Sequence, residues 1–247
     1  MPELVYPPII RVCFAGFRAL DLKLNVIGAD NVPQTGGAVL ASTHVSYLDF
    51  IFVGLGAQPR KRLVRFMAKK QVFDHPVSGP LMRGMRHIPV DRSAGAGSYD
   101  AALDALRRGE LVGIFPEGTI SRSFEVKALK TGAVRLATET GVPLLPVAIW
   151  GTQRLWTKGR PRNFRQRGTP VTISVGEPLT INPGESAHIS TQRLKERLTE
   201  LQRQVQADYP DHGTPGEAPF WLPARLGGSA PTPEQAAALD RAERDKR

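Results

Sequence analysis

Short apolar runs recur along this chain, and polar segments with helical spacing lie between them. Residues 38–42, 111–115 and 144–150 are nearly continuous apolar stretches of strand length, the pattern of strands buried on both faces. Residues 66–68, 87–90 and 171–175 read as further strands, and Leu22, Leu24 and Val26 alternate with polar residues as in a half-buried one. Helices are expected over residues 46–56, 98–107, 130–140 and 189–207, the third stopped by Gly141 and Pro143. This alternation predicts the α/β class: a single domain with a central, largely parallel or mixed sheet flanked by helices. The chain shows no internal repeat.

The two ends read differently. Pro7 and Pro8 suit a helix start, and Ile10, Cys13, Phe14 and Phe17 recur at helical spacing. Arg11 and Arg18, seven residues apart, share the opposite face. An apolar stripe opposite two arginines suits a helix lying in a membrane interface; the same stripe also suits docking on the body of the protein. The apolar segment is too short to span a bilayer, which takes about 20 apolar residues, and no signal-peptide pattern appears. From Pro210 the composition shifts, with prolines at 210, 215, 219, 223, 231 and 233. Thr232-Pro233-Glu234-Gln235 is a good helix start, and Phe220, Trp221 and Leu222 offer anchors to the body or to a membrane. The expected organisation is therefore an N-terminal interfacial helix (residues 1–21), a main domain (22–209) and a Pro-rich tail with a short terminal helix (210–247).

Charge narrows the partners. The tail holds 5 basic and 6 acidic residues, which leaves residues 1–209 with 28 basic, 17 acidic and a net charge of +11. A basic body suits an anionic partner such as a lipid surface or a phosphorylated substrate. Nucleic acid is not expected: no zinc-finger or RNA-binding signature appears, and aromatics are only 7% of the chain. The single cysteine, Cys13, excludes an internal disulfide.

Four segments carry the chemistry. In His44-Val45-Ser46-Tyr47-Leu48-Asp49, the Ser46/Asp49 spacing resembles a capping box, with Ser46 as N-cap. His44 then precedes the helix and Asp49 lies in its first turn, so a carboxylate can orient an imidazole that takes a proton from a hydroxyl. A capping aspartate beside an unrelated loop histidine would give the same letters. In His87-Ile88-Pro89-Val90-Asp91-Arg92, an apolar strand ends in a guanidinium able to clamp a phosphate, or in an ordinary surface turn. Phe115-Pro116-Glu117-Gly118-Thr119 follows a buried strand directly; Gly118 allows close backbone approach, and Glu117 can accept from a substrate hydroxyl. Residues 142–149 form an apolar strand entered through Pro143 and Pro146.

In order and spacing, these four segments resemble the motif blocks of the glycerolipid acyltransferases, the family that includes the 1-acyl-glycerol-3-phosphate acyltransferases. The resemblance covers roughly residues 24–179. It implies His44 as catalytic base and Asp49 as its partner, Arg92 as phosphate clamp, and Glu117, Gly118 and Thr119 as an acceptor loop. Lys69 sits where the family often has a phosphate-binding lysine. Two positions depart from the family pattern: Arg86 stands where glycine is usual, and Ile120-Ser121-Arg122 replaces an Arg-Ser pair after Glu-Gly-Thr.

The resemblance implies direct acyl transfer from acyl-CoA or acyl-carrier protein to the hydroxyl of lysophosphatidate, giving phosphatidate at the cytoplasmic face of the cell membrane. Backbone amides near the helix N-terminus would stabilise the oxyanion. No cofactor and no metal are expected, since His75, His87, His188 and His212 do not form ligand spacings. No covalent intermediate is expected either, since no Gly-x-Ser-x-Gly elbow appears. Glycerol-3-phosphate or another lysophospholipid or glycolipid is the alternative acceptor, and a non-catalytic membrane-binding module is the rival from another class.

Overall fold

The structure, a computed structural model, describes residues 3–91, 97–214 and 216–245. Helix α1 (Tyr6–Ala19) leads into β1 (Lys23–Ile27) and β2 (Ala38–Ser42). There follow α2 (Asp49–Gly56), β3 (Val64–Lys69), α3 (Lys70–Asp74), α4 (Ser78–Gly84), β4 (Ile88–Val90) and α5 (Gly97–Arg107). The second half holds β5 (Leu111–Ile114), α6 (Gly132–Thr140), β6 (Leu144–Trp150), β7 (Pro170–Val175), α7 (Ala187–Ala207) and α8 (Pro233–Arg244).

The seven strands form one mixed sheet in the order β1-β7-β6-β2-β5-β3-β4. Neighbours from β6 to β4 pair in parallel, and β7 turns antiparallel against β6 with β1 parallel beside it. The fold is the expected single α/β domain. Side chains alternate across a strand, so β2 feeds two cores. Ala38 and Leu40 pack with Phe52, Val53 and Leu55 of α2 on one face. Val39 and Ala41 pack on the other face, with Leu103 and Leu106 of α5, Val134 and Leu136 of α6, and Leu194 and Leu198 of α7. Being covered on both sides is why β2 and β6 read as unbroken apolar runs. Gly113 in β5 has a packing reason: a Cβ there would lie 2.4 Å from the Phe66 ring of β3, which uses the space to cross over the strand.

Residues 70–84 carry two helices that periodicity does not reveal. Neither exceeds seven residues, and Pro76 and Pro80 interrupt any pattern. Their anchors are single contacts, Phe73 and Met82 packing with Tyr6 of α1.

Helix α1 is docked. The Tyr6 hydroxyl donates to the Val64 carbonyl (2.8 Å), and Phe17 stacks on Phe52 (4.9 Å between ring centres). Ile10 lines a cavity against the body. The stripe expected to face a membrane is therefore largely turned inward. Phe14 stays outside at 44% exposure, with Val12 at 68%. Among the described residues, no helix is long and apolar enough to cross a membrane.

The tail, too, is pinned to the body. Trp221 and Leu222 are buried in a cluster with Trp150 and Tyr209, the Arg154 guanidinium lies 4.3 Å over the Trp221 ring, and the Gln153 amide donates to the Trp221 carbonyl. Helix α8 begins with the expected capping box of Thr232 and Gln235.

Candidate active site

Strands β6, β2, β5, β3 and β4 are all parallel, so their C-terminal ends share one edge of the sheet. Ligands of open α/β sheets bind at such an edge. It gathers the loop after β2 with His44 and Asp49, the turn after β5 with Glu117, the end of β3 at Lys69, and Thr152 just past β6.

The His44 Nδ1 lies 3.0 Å from Asp49 Oδ2. That oxygen also accepts from the backbone N–H of Val45 (2.7 Å) and Ser46 (2.8 Å). Oδ1 accepts from the Thr152 hydroxyl (2.6 Å). Asp49 is 0% exposed, so these donors replace the water an ionised carboxylate requires. A carboxylate only accepts, so the proton on the shared edge belongs to His44 Nδ1. Nε2 is then the basic nitrogen. The ring stacks on Phe115 at 4.2 Å, which fixes its plane.

The start of α2 corrects the sequence reading. Half of the expected capping box exists, the Ser46 N–H donating to Asp49. The other half does not. Ser46 Oγ donates instead to the Trp156 carbonyl (2.6 Å) and accepts from Leu48 N–H (3.1 Å), so the helix begins at Asp49 rather than Ser46. The backbone N–H of Tyr47 also goes to Trp156, and that of Asp49 to the Ser46 carbonyl. With His44 N–H held by Glu117 (2.9 Å), every amide from residue 44 to 49 has an internal acceptor. These bonds hold the loop in place.

Glu117 sits behind the histidine. It is 8% exposed, with Oε1 accepting from His44 N–H and Oε2 from Lys127 N–H (3.2 Å). The Ser121 N–H donates to the His44 carbonyl (2.7 Å). Both backbone polar groups of His44 are thus gripped by the β5 turn. Glu117 thereby acts as a strut between two loops, each of its oxygens accepting one backbone amide. Gly118 turns the chain with φ +71°, and Thr119 Oγ1 accepts from Lys127 Nζ (2.6 Å).

Burial pushes the Glu117 carboxyl up to about 7, against the pull of its bonds to Lys127 and His44. The folded state therefore holds this proton more tightly than the unfolded chain does. The stabilisation is complete below about 4.5, the ordinary value, and is lost as pH rises through about 7. His87, buried and held down at about 4 by desolvation and by Arg65, works the other way: its stabilisation holds above about 6.5 and is lost as pH falls through about 4. The two oppose each other between pH 4.5 and 6.5. Glu117→Gln removes one of them, so relative to wild type the variant should gain about 3 kcal/mol on raising the pH from 4.5 to 7. Urea unfolding at steps of one pH unit measures it; parallel wild-type and variant profiles would show that Glu117 does not titrate in this range.

Lys69 ends β3 and pairs in register with Val90. β3 lies two strands from β2, about 10 Å at the usual strand spacing. Arg92 lies outside the described residues. Two contributors escape a reading of the motifs, Thr152 and Lys127. Thr152 follows Gly151, which turns β6 away with φ +103°; a glycine at the end of a buried strand on the active edge is the only signal pointing there.

An apolar route leads away from His44. Phe115 stacks at 6.3 Å on Phe66, and Phe66 meets Phe50 edge-on at 6.0 Å. Phe50 lines a cavity of about 250 Å³ between α1, α2 and α4, together with Ile10, Cys13, Gly54, Leu81 and Met85.

A family model described as Acyltransferase matches residues 23–150. The 1-acyl-sn-glycerol-3-phosphate acyltransferase of Bacillus subtilis is 32% identical over 194 residues, covering 74% of this chain and 89% of that one. The protein of the same name from Limnanthes douglasii is 33% identical over 162 residues, 64% of this chain but only 55% of its own length. The crystal structure of the 1-acyl-sn-glycerophosphate (LPA) acyltransferase PlsC from Thermotoga maritima superposes with a TM-score of 0.65 at 27% identity, covering 79% of this chain and 78% of that one.

Proposed function

This chain belongs to the acyltransferase family, and from that premise we propose that it moves a fatty acyl group from an acyl thioester to the free hydroxyl of 1-acyl-glycerol-3-phosphate, giving phosphatidate. The observation that carries the reading is the His44–Asp49 pair, clamped at the carboxyl edge of the sheet with Nδ1 committed to Asp49. His44 Nε2 takes the hydroxyl proton as the oxygen attacks the thioester carbonyl. The tetrahedral intermediate collapses with cleavage of the C–S bond, and the imidazolium returns the proton to the departing thiolate. The thioester, acyl-CoA or acyl-carrier protein, brings the acyl group, so the reading assigns no cofactor.

Lys69, at the end of β3, and Arg92 take the acceptor phosphate. The apolar cavity beyond Phe66 takes the acyl chain, since the aromatic ladder from His44 ends in it. Val72 and Leu81 line that cavity and are also exposed. This rim, with the basic body, supports peripheral contact with an anionic membrane at the cytoplasmic face, by a different set of side chains than the stripe read from the sequence.

The test is purified protein with a panel of acyl-CoAs, lysophosphatidate and glycerol-3-phosphate, with products identified by mass spectrometry. Phosphatidate from lysophosphatidate is the expected product. Arg92→Ala should raise the KM for lysophosphatidate far more than that for acyl-CoA, and Arg92→Lys should rescue it only in part, because an ammonium lacks the planar fork. Acylation of glycerol-3-phosphate alone would replace the acceptor assignment, and equal effects of Arg92→Ala on both substrates would remove Arg92 from the phosphate site.

A further inference from the structure

The terminal helix α8 lies on a cluster of cations beside the active edge. Arg122 and Lys127 come from the loop after β5, and Lys158 from the loop after β6. Asp240 Oδ1 accepts from Lys158 Nζ (2.8 Å) and Arg122 Nε (3.2 Å), and its Oδ2 lies 3.5 Å from Lys127 Nζ. Glu243 Oε2 meets Arg122 Nη2 (2.9 Å) and Lys158 Nζ (2.8 Å). All five side chains are largely buried. Ala236 is the only buried residue of α8 among those described, so charge rather than apolar packing seats the helix.

The cluster is tied to the reacting loops. Lys127 Nζ also donates to Thr119 Oγ1, and Lys127 N–H to Glu117. Thr157, next to Lys158, donates to the Val45 carbonyl (2.7 Å). In the strand order β6-β2-β5-β3, Lys158 follows β6 and Lys69 ends β3; Arg122 and Lys127, from the loop after β5, meet Lys158 through Asp240, so the cluster reaches toward the β6 side, away from the end of β3. Asp240 and Glu243, three apart on one helix face, place two negative charges where three positive ones converge. A phosphomonoester brings nearly the same charge, about −1.5 to −2 at pH 7.

We propose that Arg122, Lys127 and Lys158 form a binding site for a phosphomonoester of the substrate, and that α8 is its built-in competitor, Asp240 and Glu243 holding the site until the phosphate displaces them. The site rests on the acyl-transfer reading above and adds a second anion position to it. Its placement away from Lys69 favours the 3′-phosphate of a CoA donor over the phosphate of the acceptor. A tethered competitor reduces the fraction of competent enzyme and raises the apparent dissociation constant in inverse proportion.

The variant D240N/E243Q keeps the full chain and the capping box and removes both charges. It is expected to lower the KM for acyl-CoA about five- to tenfold, with kcat unchanged. With the 3′-dephospho thioester the KM should not move. If the KM for lysophosphatidate falls instead, the anion site stands and its ligand is the acceptor. If neither KM falls in D240N/E243Q, α8 is only a tether and the proposal is overturned. A readout without turnover separates this from the acyl-transfer reading: adenosine 3′,5′-bisphosphate added to the full chain should speed amide hydrogen exchange in residues 233–244. Unchanged exchange at saturating nucleotide would also overturn it.

Discussion

His44→Ala is expected to lower the turnover number by about 10²–10⁴, the usual worth of a positioned general base, while KM values and folding stay close to wild type. The histidine side chain is 19% exposed, against 0% for Asp49. Its removal leaves the Asp49 carboxylate with the N–H groups of Val45 and Ser46 and the Thr152 hydroxyl, so no buried charge is stranded. The backbone bonds of residue 44 to Glu117 and Ser121 do not involve the side chain, so the loop keeps its path. What goes is the proton acceptor and the ring stacked on Phe115. Steady-state kinetics with thermal unfolding of the same samples measures both quantities. Turnover within about tenfold of wild type would take His44 out of the proton transfer. A large drop in melting temperature would instead make it a structural residue.

The sequence announces the dyad because its spacing is local: five residues and one turn bring His44 to Asp49. The strand and helix alternation is local too, and so the α/β class, the buried runs at β2 and β6 and the helix start at Thr232 are all readable. Contacts across the sheet are not. Nothing near Thr152 says that its hydroxyl will reach a carboxylate 103 positions earlier, and nothing near Glu117 says that its oxygens will be taken by the amides of His44 and Lys127. Half of the capping box at Ser46 is lost for the same reason: the Ser46 hydroxyl is turned to donate to a distant carbonyl, Trp156, and accepts from Leu48 N–H rather than from Asp49 N–H. The amphipathic stripe of α1 is real, but periodicity reports only that a face is apolar. Protein and membrane satisfy that face equally, and the decision belongs to Phe52 and Val64 on other elements. Composition marks α8 as a polar helix with little to anchor it. That its anchors are Arg122, Lys127 and Lys158 follows only from the path of the tail.

Asp49→Asn and Asp49→Ala are expected to part company. In the asparagine variant only one amide orientation is tolerable. The oxygen must take the place of Oδ2, where it faces the N–H groups of Val45, Ser46 and His44 Nδ1; the reverse would set an NH₂ against two backbone donors. The NH₂ then faces Thr152 Oγ1, and that hydroxyl rotates from donor to acceptor. Geometry and tautomer survive, and the charge does not. A carboxylate and an imidazolium about 4 Å apart attract by about 4 kcal/mol at an effective dielectric of about 20, and that attraction exists only once His44 has taken the proton. Its loss should therefore cost about three decades in turnover, with stability kept within about 1 kcal/mol. Alanine removes the acceptor altogether and leaves buried donors at Val45, Ser46 and Thr152 without it. At about 1–3 kcal/mol for each unsatisfied group, that variant should be strongly destabilised as well as inactive. Thr152→Val, which strips one donor from Asp49 and leaves the charge, should retain far more activity than Asp49→Asn. Turnover and urea unfolding across the three variants decide the point. If Asp49→Asn stays within about tenfold of wild type while Asp49→Ala unfolds, Asp49 serves as the organiser of the α2 entry and its charge has no part in the reaction.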